Sequence, residues 1–513
     1  MNTLATVLSR ATVGISAPLV TVEVHVANGL PGLAIVGLPE AAVRESKERV
    51  KAALVNCQFR FPDRRITVNL APADLPKEGG RFDLAIAIGI LLASGQLKKK
   101  DAVEGIEFFG ELSLGGELRS VRALLPALLS ASADRHSMIV PSANAAEASL
   151  MESAHIWQAR HLLEICAYLN GEAVLEASTS FTVTPAFDQA PAADLQDVRG
   201  QAYAKRALEI AAAGGHSLLF FGPPGSGKSM LAQRFNTLLP ELGKKESMEC
   251  AAIASISSSG FHSREWRKRP FRSPHHGSSV AALIGGGGGN QRILRPGEIS
   301  LAHHGTLFLD ELPEFSHAAL EALREPLETG QVHLSRAMAK TTYPAGFQLI
   351  AAMNPCPCGY LGNVSGRCHC SSEQIARYRR RLSGPLWDRI DMHVEVGALS
   401  ASELLGGEHD AESGESSAVI KKRVMEVRER QLQRQGALNA GLNPQRLEHE
   451  VVIDPASRAL LLQAMDHFQL SARAAHRILR LAYTIMDMAG QAEILPEYIA
   501  EALSYRQLDR DRA

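Results

Sequence analysis

The sequence predicts a multidomain α/β protein organised around a nucleotide-binding open sheet, on three observations. The chain has 513 residues, long enough for roughly two or three separate cores. Strand-like and helix-like patterns alternate through most of it and give way to helical patterns towards the end. A glycine-rich loop, Gly222-Pro223-Pro224-Gly225-Ser226-Gly227-Lys228-Ser229, lies between an apolar run and a helical one, the context a phosphate-binding loop requires.

Composition narrows the class. Apolar residues make up 45% and charged residues 21%, ordinary globular values that exclude wholesale disorder. The most apolar run, Leu84 to Ala93, falls short of the ~20 residues that span a bilayer and reads as a buried helix. No membrane contact is expected. The N-terminus has no basic start leading into a compact apolar stretch, so no secretory signal is expected and the location reads as cytoplasmic. Basic residues number 54 and acidic residues 55, so any nucleic-acid contact must come from short local elements.

Taken in order, residues 1–171 read as one α/β domain, with strands at Leu19 to Val26 and Ile66 to Leu70 and an amphipathic helix from Glu40 to Ala53. Residues 172–194, rich in Ala, Thr, Ser and Pro, read as a linker. Residues 195–398 carry strands, helices and Gly-rich loops in the pattern of a mostly parallel sheet covered by helices. Residues 399–418 include the polar, acidic run Gly406 to Ser417 and read as a mobile connection, and 419–513 as a helical lid.

The chemistry concentrates in the third segment. His216 to Phe221 reads as a strand feeding the glycine-rich loop, whose backbone N–H groups can turn onto phosphate oxygens while Lys228 reaches the β- and γ-phosphates of ATP. Ser229 is expected to ligate Mg²⁺. A second apolar strand, Leu307 to Leu309, ends in Asp310 and Glu311: one carboxylate for Mg²⁺ and one to polarise the attacking water. A third, Phe347 to Met353, ends in Asn354, suited to orienting that water, although an Asn before Pro355 also suits a turn. Arg389 and Arg473 are candidates for contact with a γ-phosphate, Arg389 in a neighbour's site; either also suits an ordinary ion pair.

Three basic elements are candidates for DNA. Ala282 to Arg295 is a Gly-rich loop ending in Arg292 and Arg295, and Val332 to Gly346 reads as a hairpin with Arg336 and Lys340 near its tip. Arg264 to Arg272 interleaves cations with Trp266 and Phe271, a composition able to stack on bases. Cys356, Cys358, Cys368 and Cys370 form two pairs able to close a structural Zn²⁺ site, with a spacer tighter than usual; reduced structural thiols are the alternative, and His369 is a substitute ligand. Adjacent histidines seldom chelate one ion, so His275-His276 reads as structural or DNA-proximal.

The run from Val198 to His216, the phosphate loop, Arg272-Ser-Pro-His-His276, Pro296-Gly-Glu-Ile-Ser300 and Asn354-Pro-Cys-Pro-Cys-Gly359 together resemble the magnesium-chelatase-like AAA+ family. The resemblance runs nearly end to end. It implies an AAA+ motor with a helical lid, a homo-oligomeric ring, a hexamer in expectation, and in part of the family a helicase that works on single-stranded and branched DNA. That activity drives branch migration of recombination intermediates during natural transformation.

The N-terminal domain resembles the proteolytic domain of Lon, of the ribosomal S5 domain 2-like fold. In that resemblance Arg81 stands at the nucleophile's position and Leu125 at the activating lysine's, which leaves covalent catalysis without its players. An ATP-dependent protein remodeller or protease partner, and a chelatase-type motor subunit, stand as the alternative functions.

Overall fold

The computed structural model describes residues 3–37, 41–97, 100–152, 155–178, 193–287, 294–336, 339–362, 366–398, 414–506 and 508. Most of the expected linker, most of the 399–418 connection and Arg292 lie outside the described residues.

In the N-terminal part eight strands form one sheet, ordered Glu176–Ala177, Ile156–Ala159, Ser137–Pro141, Ile106–Phe108, Leu4–Arg10, Leu19–Ala27, Arg65–Ala71 and Gly32–Val36. Leu19–Ala27 buries Val20, Val22, Val24 and Val26 and alternates them with more exposed residues, the period of a strand with one covered face. The cover is the helix Asp83–Ala93, buried at every residue, as a helix apolar on all sides must be. Gly89 lets it sit close, since a methyl there would lie 2.5 Å from Val24 Cγ2. The sheet continues beyond residue 171: Glu176–Ala177 pairs with Ile156–Ala159 and Leu175 is buried. A two-residue edge strand has no periodicity to announce it.

The second sheet is wholly parallel and ordered Phe271–Arg272, Thr306–Leu309, Gln348–Met353, Leu218–Phe221 and Met392–Glu395. Phe221 pairs with Met353 and Leu309 with Ala351, so the strands that end in the phosphate loop, Asp310 and Asn354 finish on the same edge. Ligands of open α/β sheets collect at that carboxyl edge. Two short additions interrupt the chain between strands: the pairing of Gly285–Gly286 with Arg295–Pro296, and the hairpin Gln331–Arg336 with Ala339–Pro344.

The C-terminal helices Ser417–Gln435, Pro444–Glu450, Pro455–His467, Ala472–Ala489 and Pro496–Ser504 have no core of their own. Val424, Ile478 and Ile499 pack in the same apolar cluster as Leu208, Leu218, Ile350 and Val394. A buried polar seam runs beside it. Arg434 pairs with Asp487 at 2.6 Å, Asn439 bonds both Asp487 (2.8 Å) and Thr484 (3.1 Å), and Thr484 meets His216 at 2.8 Å. Asp391, just before the last strand, accepts from Ser217 N–H at 2.9 Å and from Arg477. Such networks are costly when broken, because each member would be left buried and unpaired. Among the described residues no helix is long and apolar enough to cross a membrane.

Burial alone would push the Asp391 carboxyl up; the Arg477 charge, His216 and the Ser217 N–H outweigh it and hold the group well below the usual carboxylate range. A depressed carboxyl contributes stability above its unfolded value of about 4, and the contribution is lost as pH falls below that value towards the folded one. Asp391→Ala should therefore destabilise the sheet and its helices by about 3–5 kcal/mol at neutral pH. Denaturant unfolding of Asp391→Asn beside wild type should show a gap that shrinks as pH drops below about 4; a gap constant with pH would contradict this.

Candidate active site

The strand Leu218–Phe221 is fully covered and releases the chain into the glycine-rich loop at Gly222, where a methyl would lie 2.1 Å from the Val396 carbonyl oxygen. Gly225 (φ +75°) and Gly227 (φ +92°) take the left-handed conformation that side chains resist. The helix Lys228–Arg234 then begins, continued by one tighter turn at Phe235–Leu238. Lys228 is buried, and its Nζ donates to the carbonyls of Gly222 and Pro223 at 2.8 Å and to Asn354 Oδ1 at 3.4 Å. Burial pushes the ammonium below its ordinary value, against the opposing charges of Asp310 and Glu311.

Ser229 Oγ donates to Asp310 Oδ2 at 2.6 Å. A hydroxyl and a carboxylate joined at this distance offer the hard oxygen donors that Mg²⁺ takes. Glu311 N–H bonds Asp310 Oδ1 at 2.9 Å, and the backbone of Glu311 is left-handed (φ +51°), a strained state for a residue with a side chain. That turn separates the two carboxylates and leaves the Glu311 side chain about half exposed. Asn354 follows its strand directly, and Tyr378 hydrogen-bonds its backbone.

His276 is the residue the sequence undervalued. Its Nδ1 lies 3.2 Å from Glu311 Oε2, because Phe271–Arg272 runs parallel beside Thr306–Leu309 and the two chains leave the sheet together. The available signal was the position of Arg272-Ser-Pro-His-His276 directly after an edge strand.

The two arginines lie apart from the phosphate loop of the same chain. Arg389 is 11% exposed and turned into its own subunit, where it donates to the Pro385 carbonyl at 2.6 Å and to Glu328. Arg473 opens the helix Ala472–Ala489, capped by Ser471. One turn later Arg477 bonds Asp391, and further on Thr484 bonds His216. Both partners precede strands, so this helix runs along the sheet edge opposite the phosphate loop. The exposed Arg473 therefore makes no contact with the phosphate loop of its own subunit.

The candidate DNA elements divide. Arg295 sits at the base of its loop, paired with Gly286, and lines a cavity of about 360 Å³ with Arg81 and Arg122. Arg336 and Lys340 are exposed on the hairpin, and a methyl at Gly286 would lie 3.2 Å from an Arg336 guanidinium nitrogen, so hairpin and loop meet. In the segment 264–272 both aromatics are partly buried against the protein. Trp266 packs on the Leu125–Ala251 cluster, Phe271 stacks on Phe308, Arg269 bonds the Pro240 and His304 carbonyls, and Arg272 pairs with Glu298 at 2.6 Å. Cys356, Cys358, Cys368 and Cys370 converge beside Asn354, without His369.

Arg81 is buried and its guanidinium donates to the Arg10, Arg122 and Ala123 carbonyls; burial pushes it down to about 10. Leu125 is fully buried against Ala251 and Ala252 of the second domain. Leu125 joins the two domains, Arg81 braces carbonyls within the first, and neither side chain is a nucleophile.

Comparison with known proteins fits this geometry. Residues 194–404 match the family model for magnesium chelatase, subunit ChlI, residues 22–144 the model for subunit ChlI of Mg-chelatase, and residues 414–506 the model for the ChlI C-terminal region. The chain is 48% identical to Competence protein ComM of Haemophilus influenzae, over 99% of this chain and 98% of that protein. It is 47% identical to the uncharacterized protein YifB of Escherichia coli, with 99% and 98% covered, and 42% identical to an uncharacterized protein of Mycobacterium tuberculosis, with 97% and 98% covered. With identity sustained over almost the whole length of both partners, the chain belongs to the magnesium-chelatase-like AAA+ ATPase family, in the group that contains ComM and YifB.

Proposed function

We propose that this ATPase is a ring-forming DNA motor, a helicase that drives branch migration of recombination intermediates in natural transformation. One observation carries the reading. The loop and the hairpin inserted on either side of the Asp310-Glu311 strand lean together, with Arg336 over Gly286, Arg295 on the strand partner of Gly286, and Lys340 exposed beside them. Cations on such loops bind nucleic-acid backbone without reading sequence. Near full-length identity to a protein named for competence supports the biological setting.

In the cycle, Lys228 provides the ammonium for the β- and γ-phosphates, and Ser229 and Asp310 hold Mg²⁺. When bound, that ion neutralises charge developing on the phosphoryl group. Glu311 takes the role of orienting and polarising water, with Asn354 sensing the γ-phosphate from the next strand. Arg389 and Arg473 lie away from their own phosphate loop, which favours supply in trans within a hexamer: Arg473 is already exposed, and Arg389 must first leave Glu328. His276 is a positioning residue, linking Glu311 to the segment that leads into the DNA loop. The N-terminal domain reads as an inactive Lon-like platform.

The test is ATP hydrolysis with and without single-stranded or branched DNA. Stimulation by DNA is expected, and Glu311→Gln should lower kcat by about 10²–10⁴-fold while ATP still binds; turnover indifferent to every DNA would favour the protein-remodelling alternative. Arg336→Ala with Lys340→Ala should weaken single-stranded DNA binding and flatten its log–log salt slope by about 1.4. An unchanged slope would remove the hairpin from the DNA path. His276→Ala should shrink the ratio of DNA-stimulated to basal turnover without lowering the basal rate to that of Glu311→Gln, and a preserved ratio would deny the link.

A further inference from the structure

The four cysteines between Asn354 and the helix Ser372–Arg379 form a cluster that the nucleotide chemistry does not use. Cys356 Sγ lies 3.4 Å from Cys358 Sγ and 3.8 Å from Cys368 Sγ, and Cys358 Sγ lies 3.6 Å from Cys368 Sγ. Cys370 completes the group, all four sulfurs lying within 4.8 Å of one another. Zn–S bonds of about 2.3 Å in a tetrahedron set the sulfurs about 3.8 Å apart along each edge, close to the three distances among Cys356, Cys358 and Cys368. A disulfide needs about 2.0 Å, and all four cysteines are free.

Apolar burial does not explain the convergence. Cys356 is buried, but Cys358 is exposed and Cys368 and Cys370 are only partly covered, so the group gains little as a hydrophobic cluster. The backbone also meets the sulfurs directly: the N–H groups of Tyr360, Cys370 and Cys358 bond the sulfurs of Cys358, Cys368 and Cys370 in turn, an outer shell of the kind that orients metal ligands. Soft tetrahedral S₄ donors select zinc or iron, and edges this short enclose one ion, with no room for the sulfide and second iron of a cluster.

The geometry points to a single structural Zn²⁺ held by Cys356, Cys358, Cys368 and Cys370, bracing the loop that carries the γ-phosphate sensor. The bracing part rests on the reading of Asn354 given above; the metal site does not. Gly359 (φ +83°) packs directly on the phosphate loop, where a methyl would lie 2.7 Å from Pro224 Cδ. On the other side Cys370 leads into Ser371, the cap of the helix Ser372–Arg379, and Tyr378 of that helix bonds the Asn354 backbone. An ion joining the two cysteine pairs closes this path into a ring, so the position of Asn354 relative to Lys228 is held from both sides.

The test is metal analysis of the full-length protein purified without chelators, together with native thiol titration. About one zinc per chain is expected, with four of the seven cysteines protected until an organomercurial displaces the ion. Cys358→Ser, changed at the exposed ligand, should lose most of the zinc while keeping its circular dichroism. Folded wild-type protein with less than about one zinc per ten chains and freely reactive thiols would overturn the site, as would stoichiometric iron. The bracing role is read separately: Cys358→Ser should lower kcat for ATP, and zinc loss with unchanged kinetics would leave the metal site standing and sink its link to Asn354.

Discussion

The parallel register of the second sheet is the constraint on which the rest of the molecule depends. Pairing Phe221 with Met353 and Leu309 with Ala351 brings three segments far apart in sequence to one edge. Ser229 then meets Asp310 at 2.6 Å, and Lys228 lies 3.4 Å from Asn354. A strand shifted by one residue would turn its side chains to the other face and separate these pairs. The loop and the hairpin enter the chain on either side of the strand that ends at Asp310 and Glu311.

The opposite edge has a different task. There the helices close a buried polar seam from Arg434 through Asp487, Asn439 and Thr484 to His216, while Asp391 joins Ser217 to Arg477. This seam fixes the angle between helices and sheet, and it carries Arg473 away from its own phosphate loop. The separation of the two edges gives the proposed trans arrangement its physical basis: one edge binds a nucleotide, and the other offers arginines to the next subunit.

The nucleotide site was legible because its residues are local in sequence. The phosphate loop, Asp310-Glu311 and Asn354 each follow an apolar run, and the structure places those runs as adjacent strands. Long-range pairings left no such trace. Nothing near Arg389 announces that Glu328 holds it, and His276 acquires its meaning only when Phe271–Arg272 lies beside Thr306–Leu309. Composition misled at Arg264 to Arg272, since Trp266 and Phe271 serve packing and Arg272 an ion pair. The extra strand Glu176–Ala177 was too short to register, and the shared core of helices and sheet was invisible to a reading that divided them by composition.

The central claim is that ATP hydrolysis at Ser229, Asp310 and Glu311 moves DNA branches. The most direct measurement follows a labelled three-stranded junction with homologous arms, mixed with the purified protein and ATP, as its strands separate over time. The account predicts ATP-dependent resolution of the junction that is abolished in Lys228→Ala. Rapid ATP hydrolysis with the junction left intact would contradict it.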